Sequence, residues 1–344
     1  MDRQLKGTAL AIIFALVAQA APAQGPSPTP VAVTPDNFVR AETDRYFAGS
    51  VQRAGRGRLE HHRTPMPIDA QTVIRANRDT LYSSGVFDLE AGPVTITLPD
   101  PGNRFLSMQV ISEDHYTPAV HYGAGRHIVA REWVGTRYAL VGVRILIDPS
   151  DPEDARRVHA LQDAIAVAQA GPGRFEAPDW DQERLAKVRT LLLGLAETLP
   201  DTRRMFGTRD RVDPVRHLIG TASAWGGNPE TEALYLNVVP GRNDGDTLYR
   251  LDVGQVPVDG FWSVSVYNAE GYFQANPLHA YSLNSLTAQQ AGNEAVRVQF
   301  GGCDGRVPNC LPIMPGWNYM VRLYRPPAEI LDGRWRFPEA RPAG

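Results

Sequence analysis

Residues 257–273, PVDGFWSVSVYNAEGYF, contain the clearest strand pattern in the chain. Trp262, Val264 and Val266 alternate with aromatic and hydroxylic side chains, so apolar character repeats at every second residue. This period is typical of a strand that has one face in a core. Asn268–Gly271 follows directly and supplies turn-forming residues. The pattern therefore predicts a half-buried strand that ends in a turn.

Further strand patterns occur towards both ends of the chain, and Gly, Pro or Asn residues flank them. They lie at Val94–Leu98, Arg104–Ser112, Tyr138–Ile147, Tyr249–Val253, Val296–Phe300 and Tyr319–Leu323. Short strands separated by turn signals favour sandwiches and jelly rolls over a parallel sheet. The predicted fold class is mostly β (α+β), with two antiparallel β-sandwich or jelly-roll-like domains and a helical segment between them.

Helical periodicity appears only in the middle of the chain. A capping box at Ser150–Glu153 starts a helix that includes Val158, Leu161 and Ile165 and ends at Gly171-Pro172. A second helix runs from Asp179 to Pro200 along a leucine stripe, and a third runs from Asp213 to Ile219. The predicted organisation is a signal peptide at 1–23, a disordered linker at 24–36, an N-terminal β domain at 37–149, a helical connector at 150–231 and a C-terminal jelly-roll domain at 232–344.

The first residues resemble an export signal. Arg3 and Lys6 precede an uncharged apolar run, and small residues suited to cleavage after Ala20 or Ala23 follow. The run is too short to span a bilayer, which takes about 20 apolar residues. The 344-residue chain has a formal charge of −3, which gives no general attraction to nucleic acid. We therefore expect a periplasmic or secreted protein with no nucleic-acid partner and no membrane span after signal cleavage.

Two cysteines, Cys303 and Cys310, lie in a loop rich in Gly and Pro. In an oxidising compartment this spacing predicts a disulfide. A zinc site is the alternative, but further Cys or His residues at ligand spacing are missing. No metal and no cofactor are expected. The Gly-x-Ser-x-Gly, His-Glu-x-x-His and phosphate-loop motifs are also missing, although a catalytic triad needs no local motif.

Residues 113–122, EDHYTPAVHY, form the densest polar cluster. Glu113, Asp114, His115 and His121 are candidate catalytic residues, because neighbouring carboxylates and imidazoles can exchange protons near neutral pH. A polar loop that merely ends a strand is the alternative. His115, His121 and His127 recur at a spacing of six, but Pro118, Gly123 and Gly125 interrupt the strand that would align them as metal ligands.

A second polar cluster lies at residues 77–82. Asp79 is a candidate acid or base, and Asn77, Arg78 and Tyr82 are candidate substrate-binding residues. An Arg–Asp pair with Asn77 closing a turn is the alternative. We expect this cluster to share one pocket with residues 113–121, because polar residues gathered at strand ends commonly carry function.

Aromatic and amide side chains accumulate in the C-terminal part, a combination that suits the apolar faces and the hydroxyls of sugars. Trp262 is expected in the core. The candidate substrate-binding residues are Tyr267, Asn268, Tyr272, Asn276, His279 and Tyr281.

These residues also carry a family resemblance. Asn77–Ser83 and Phe87–Pro93 resemble the domain-of-unknown-function family 1254. Pro257–Phe273, with Asn276-Pro277 and Tyr281, resembles family 1214. Segments at 301–311, 315–319 and 330–335 resemble the short exported branch of this pair, which lacks a longer helical region of other relatives. The resemblance implies two β-sandwich domains, the second similar to the jelly rolls of peptide-N-glycosidase, and hence carbohydrate binding or processing.

Together these patterns predict an exported protein that binds or hydrolyses a carbohydrate-like or amide/ester substrate, with a small molecule or glycan as its partner. A non-catalytic periplasmic or envelope-associated binding module is the alternative. Absence of the 113–121 cluster from concave surfaces would favour that alternative.

Overall fold

The computed structural model describes residues 29–71, 73–290 and 295–343. The first part contains α1 (Phe38–Ala54), β1 (Glu60–His61), β2 (Thr80–Asp88), a 3-10 turn (Leu89–Ala91), β3 (Val94–Leu98), β4 (Leu106–Ser112), β5 (Ala119–Tyr122), β6 (Gly125–Val129), α2 (Arg131–Val134) and β7 (Tyr138–Leu146). The middle contains α3 (Pro152–Asp163), β8 (Ala166–Ala168), α4 (Gln182–Ala196) and α5 (Pro214–Ser223). The last part contains β9 (Ala233–Val238), β10 (Tyr249–Val253), β11 (Trp262–Tyr267), β12 (Ser282–Asn284), β13 (Val296–Phe300), β14 (Cys310–Leu311), β15 (Asn318–Tyr324), α6 (Ala328–Leu331) and β16 (Arg341–Pro342).

Two sheets form the N-terminal sandwich. Their strand orders are β1-β2-β7-β4-β5 and β6-β3-β8, and the pairings are antiparallel. Strand β3 places Val94, Ile96 and Leu98 in the shared core, while Thr95 and Thr97 point away from it. Alternating side chains of one strand lie on opposite faces, so the β3 sequence alone selects its buried face.

Two further sheets form the C-terminal sandwich, with strand orders β12-β11-β15-β9 and β14-β13-β10-β16. Their facing side chains form a core in which Phe300, Trp317 and Leu323 are fully buried. All described pairings here are antiparallel except β13 with β14, which is parallel. The predicted fold class, mostly β (α+β) with sandwich-like domains, is confirmed.

Strand β11 differs from the predicted half-buried strand. Trp262, Val264 and Val266 enter the C-terminal core, as expected. However, Ser263 and Ser265 are also fully buried, because the hydroxylic face of β11 packs against the N-terminal part of the chain. A single strand pattern shows which side chains share a face, but not what covers that face.

The helical layer differs from the sequence expectation in three places. The N-terminal domain was expected to be mostly β, yet it begins with the 17-residue helix α1, whose buried Glu42, Thr43 and Asp44 obscure an apolar stripe. Helix α3 ends at Asp163, and β8 pairs with β3, so tertiary strand pairing overrides the predicted continuation through Ile165. Helix α4 is capped by Asp181 instead of Asp179.

The third predicted helix begins at the expected cap. The Asp213 carboxylate accepts hydrogen bonds from the backbone N–H groups of Val215 and Arg216, which satisfies two of the unpaired donors at the start of α5. Pro214 occupies the first position of this helix, where its missing N–H costs no hydrogen bond.

Several predictions concern the chain ends and the cysteines. The structure confirms the Cys303–Cys310 disulfide. The predicted signal peptide lies outside the described residues. Part of the predicted disordered linker is packed, since Val31 pairs with Trp180 and Val33 is buried. Among the described residues, no helix is both long enough and apolar enough to cross a membrane.

Candidate functional site

Polar side chains from both sandwiches meet at the interface between them. We call this group the interdomain centre. Its members from the N-terminal part are Asn77, Asp79, Tyr82 and Arg144, and those from the C-terminal part are Ser263, Tyr267, Arg322 and Tyr324.

Strand register places the two arginines of the centre. Strand β2 pairs with β7 so that Tyr82 lies opposite Arg144. In the other sheet, Arg322 of β15 lies between Ser263 of β11 and Tyr235 of β9. Each arginine occupies a strand position whose face looks towards the other domain instead of its own core.

Arg322 links the two domains through hydrogen bonds to backbone and hydroxyl oxygens. Its Nη2 donates to the carbonyl oxygen of Arg75 at 2.8 Å and to the hydroxyl of Tyr267 at 2.7 Å. Its Nη1 donates to Ser265 Oγ at 2.9 Å. The Tyr267 hydroxyl in turn donates to the carbonyl oxygen of Ala76 at 2.8 Å. A buried guanidinium needs such acceptors, because leaving its donors unsatisfied is costly.

Asp79 lies at the start of β2 with only 1% of its surface exposed. Its Oδ1 accepts a hydrogen bond from Asn284 Nδ2 at 3.2 Å. Its Oδ2 and the neighbouring Ser263 Oγ have no hydrogen-bond partner of good geometry among the described residues. Burial raises the pKa of Asp79, and the charge of Arg322 and the nearby Ser263 hydroxyl oppose this rise without cancelling it. The Asp79 carboxyl group therefore holds a proton more readily than an exposed aspartate does.

Asn77 connects two tyrosines. Its Oδ1 accepts from the Asp79 backbone N–H at 2.8 Å, which fixes the orientation of the amide. Its Nδ2 therefore donates to the hydroxyl oxygens of Tyr82 and Tyr324, both at 3.1 Å. Asn77 and Tyr82 are only partly buried, whereas Tyr324 is 2% exposed. Tyr82 and Asn77 thus form the accessible side of the centre.

The two tyrosines differ in electrostatics. Burial opposes ionisation of Tyr82, but the Arg144 guanidinium, 5.3 Å from the ring centre, and the hydrogen bond from Asn77 together hold its pKa below the ordinary value of 10. Burial and the neighbouring Tyr235 and Tyr82 raise the pKa of Tyr324 well above that value. Ionisation is therefore easier for Tyr82 than for Tyr324.

Glu113, Asp114 and His115 do not reach the interdomain centre, so the expected shared pocket is wrong. Leu81 and Leu106 both pair with Ile145, whereas Phe87 and Ser112 both pair with Ala139. Strands β2 and β4 are therefore parallel on either side of β7, and their polar ends lie at opposite ends of the sheet. Asp79 and Glu113 are about nine residues apart along the strands, or about 30 Å.

Glu113 and Asp114 form ion pairs with Arg40 of α1. Arg40 Nη1 lies 3.3 Å from Glu113 Oε1, and Arg40 Nη2 lies 2.5 Å from Asp114 Oδ1. Glu113 is buried and also accepts from the Tyr138 backbone N–H, whereas Asp114 is nearly half-exposed. These contacts fix the end of β4 against α1.

His115 is fully enclosed, and both of its ring nitrogens are occupied. The Gly226 backbone N–H donates to Nε2 at 2.8 Å, so Nδ1 carries the proton and donates to Thr221 Oγ1 at 2.7 Å. Burial lowers its pKa well below the ordinary range. His121 lies elsewhere, on β5, where its ring stacks on His127 at 4.1 Å. The structure therefore separates these two histidines.

The other predicted binding residues lie near the interface or on the C-terminal surface. Arg78 donates to the Met66 carbonyl oxygen, and its guanidinium lies 5.3 Å from the ring centre of the buried Tyr281. Side-chain oxygens of Asn268 and Asn276 accept from backbone N–H groups in their own turns. Tyr267 is fully buried, Tyr272 is partly exposed, and His279 is exposed.

Two surface recesses lie away from both polar clusters. One, of about 500 Å³, is lined by Pro101, Arg104, Arg157, Ala160 and Leu161. The other, of about 350 Å³, includes Trp262, Gln255 and Ser285 in its lining. Neither recess is lined by residues 113–121.

Arg144 and Arg322 are not among the site residues that the sequence predicts. Each is the single charged residue of a strand that is largely apolar or aromatic, YALVGVRIL at 138–146 and NYMVRLY at 318–324. An arginine in such a setting requires buried acceptors, so its presence is a detectable signal of a polar interface.

Fold and site together define a class: a protein of two sandwich-like domains joined through a buried polar interface. Residues 57–132 match the family described as "Protein of unknown function (DUF1254)", and residues 240–328 match "Protein of unknown function (DUF1214)". The chain therefore carries a DUF1254 region followed by a DUF1214 region.

Solved structures share this fold. The VPA0106 protein from Vibrio parahaemolyticus is similar with a TM-score of 0.66 and 18% identity, over 90% of this chain and 98% of that one. A putative uncharacterized protein from Burkholderia cenocepacia is similar with a TM-score of 0.50 and 13% identity, over 89% of this chain and 87% of that one. A search of curated proteins finds no match.

Proposed function

We propose that the interdomain centre binds a small carbohydrate-like or amide/ester molecule, and that Asp79 supplies a proton for its hydrolysis. The observation that carries this proposal is the pair of buried atoms Asp79 Oδ2 and Ser263 Oγ, which come from different domains, lie next to each other and have no hydrogen bond of good geometry among the described residues. Unsatisfied buried polar atoms are rare, because each costs about 1–3 kcal/mol. A ligand hydroxyl or amide could bond both atoms at once.

The surroundings of the centre support this ligand class. The partly exposed Asn77 and Tyr82 offer an amide and an aromatic ring next to the buried pair. Sugars and amides are recognised by this combination of side chains. Arg78 with Tyr281 and the partly exposed Tyr272 would extend the binding surface on the C-terminal side.

A non-catalytic binding module is the second candidate. Residues 113–121 line neither surface recess, and the hydrogen bonds of His115 are already used within the protein. The catalytic roles of Glu113, Asp114, His115 and His121 stay predictions, and Glu113, Asp114 and His115 would require a site separate from the interdomain centre. The disulfide fits an oxidising compartment, and we propose a periplasmic or secreted location.

The test compares Asp79→Asn with Asp114→Asn, the same substitution at the opposite end of the sheet. The variants are screened for binding to a panel of neutral and acidic oligosaccharides and for hydrolysis of p-nitrophenyl glycosides and esters. We expect Asp79→Asn to abolish turnover and Asp114→Asn to retain it. Binding without turnover in the unaltered protein would favour the non-catalytic module, and no binding to any probe would refute the proposed function.

A further inference from the structure

We propose that Tyr82 is the proton acceptor of the interdomain centre, activated by Arg144 and oriented by Asn77. This inference rests on the proposed function, since it assigns a second chemical role within the same site. Three observations of geometry lead to it.

The first observation is the position of the Tyr82 oxygen. It accepts a hydrogen bond from Asn77 Nδ2, and the orientation of that amide is fixed by the Asp79 backbone N–H. Asn77 therefore offers a donor to Tyr82 and cannot offer an acceptor. A phenol oxygen that faces a fixed donor is favoured as an acceptor, and the neighbouring Arg144 and Thr80 side chains add to this effect.

The second observation is the charge beside the ring. Strand register places Arg144 opposite Tyr82, with its guanidinium carbon 5.3 Å from the ring centre. Arg144 is held in place by Gln109 Oε1 at 2.7 Å and the Gly226 carbonyl oxygen at 2.9 Å. These acceptors and the third, Asn228 Oδ1 at 3.3 Å, are all uncharged. Within the described part of the chain no carboxylate forms an ion pair with Arg144, so its charge favours a phenolate at Tyr82.

The third observation is the difference in exposure between the two tyrosines that share Asn77. Tyr82 retains exposed surface, whereas Tyr324 is almost fully buried. A small molecule can therefore reach Tyr82. It cannot reach Tyr324, whose buried phenol stays neutral.

The proposed step transfers one proton. A lone pair of the Tyr82 oxygen takes the hydrogen of water or of a ligand hydroxyl, that O–H bond breaks, and its electron pair stays on the oxygen that attacks the scissile carbon. The bond from that carbon to the leaving oxygen or nitrogen then breaks, and the leaving atom takes a proton from Asp79. The proton on Tyr82 afterwards returns to Asp79, so both groups recover their starting states.

The experiment measures nitration of the mature protein by tetranitromethane, a reagent that attacks accessible phenolates, with peptide mass spectrometry to locate the modified residues. Tyr272, which is partly exposed and lies outside the centre, is the internal reference. We expect Tyr82 to be nitrated faster than Tyr272 at pH 7–8. In Arg144→Gln the Tyr82 rate should fall about tenfold for each unit by which its pKa rises, with Tyr272 unchanged. Protection of Tyr82 in the unaltered protein, or an equal rate in both proteins, would overturn the assignment.

A difference titration tests the same assignment without the Arg144→Gln variant, in case that variant does not fold. The absorbance at 295 nm of the unaltered protein minus that of Tyr82→Phe isolates the ionisation of a single tyrosine. We expect that tyrosine to ionise before the bulk of the 12 tyrosines. Ionisation together with the bulk or after it would overturn the proposal.

Measurements of turnover distinguish the proposed role of Tyr82 from the proposed function of the centre. With a probe that the protein hydrolyses, Tyr82→Phe should lower kcat by about 100-fold or more with little change in KM. It should also remove the increase of kcat with pH that deprotonation of a general base produces. Unchanged kcat in Tyr82→Phe, while Asp79→Asn is inactive, would refute the role of Tyr82 and leave the proposed function intact.

Discussion

Asp44 is a buried carboxylate that should destabilise the protein at neutral pH. It lies in α1 with 3% of its surface exposed, and its Oδ2 accepts from Trp180 Nε1 at 2.8 Å. Burial raises its pKa to about 6, the Trp180 hydrogen bond opposes this rise, and the nearby charge of Glu113 adds to it. We predict that Asp44→Asn stabilises the protein at pH 8, because the amide oxygen can still accept from Trp180 while the buried charge is removed.

The magnitude follows from the two pKa values. The difference between about 6 and the ordinary 3.8 corresponds to about 3 kcal/mol at 1.36 kcal/mol per pKa unit. Because the folded-state pKa lies above the ordinary value, proton binding at Asp44 stabilises the folded protein fully below about pH 3.8. That contribution is lost as the pH rises through about 6. Asp44→Asn should therefore gain about 3 kcal/mol at pH 8 and about 1 kcal/mol at pH 4.5.

The assay is urea unfolding of both proteins at pH 4.5 and pH 8. Asp114→Asn serves as the control, because Asp114 is nearly half-exposed and paired with Arg40, so its loss should cost less than about 1 kcal/mol. If Asp44→Asn lowers the free energy of unfolding equally at both pH values, the reasoning about burial is refuted.

Two further predictions concern packing and the covalent cross-link. Gly85→Ala should destabilise the protein by about 2 kcal/mol or more, because its methyl group would overlap the Arg58 carbonyl oxygen. Gly142→Ala on the neighbouring strand should cost less than about 1 kcal/mol, since the nearest atom to its methyl group would lie at 3.6 Å, and similar unfolding midpoints for the two variants would contradict this account. Reducing the Cys303–Cys310 disulfide should lower the free energy of unfolding by about 2 kcal/mol, as measured in urea with and without dithiothreitol, and an unchanged midpoint with confirmed free thiols would contradict the prediction.

Local patterns predicted the strands well, because the alternation of apolar and polar side chains involves only consecutive residues. The β3 and β11 patterns place the expected side chains in the two cores. Capping chemistry likewise located α5 at Asp213. Such features depend on neighbours within a few positions, so they can be inferred from one sequence.

The site could be predicted only in part, because its contacts join distant segments. The polar segment around Asn77 and Asp79 is recognisable, but the bond from Asn284 to Asp79 spans 205 positions. The wrong prediction that Asp79 and Glu113 share one pocket has the same cause. Each residue does lie at a strand end, but only the pairing of both strands with β7 reveals that the ends are opposite.

The bonds from Arg322 and Tyr267 to the backbone of Arg75 and Ala76 have a consequence for how the two family regions depend on each other. The acceptors are main-chain carbonyl groups, which every residue type provides, so point substitution at residues 75 and 76 leaves them in place. Separating the regions removes them altogether and leaves Arg322 with only the Ser265 and Tyr267 hydroxyl groups of its own region as acceptors. The two family regions are thus separate in sequence but joined in the folded structure. A gene that encoded one region without the other would give a less stable protein, and selection would act against it.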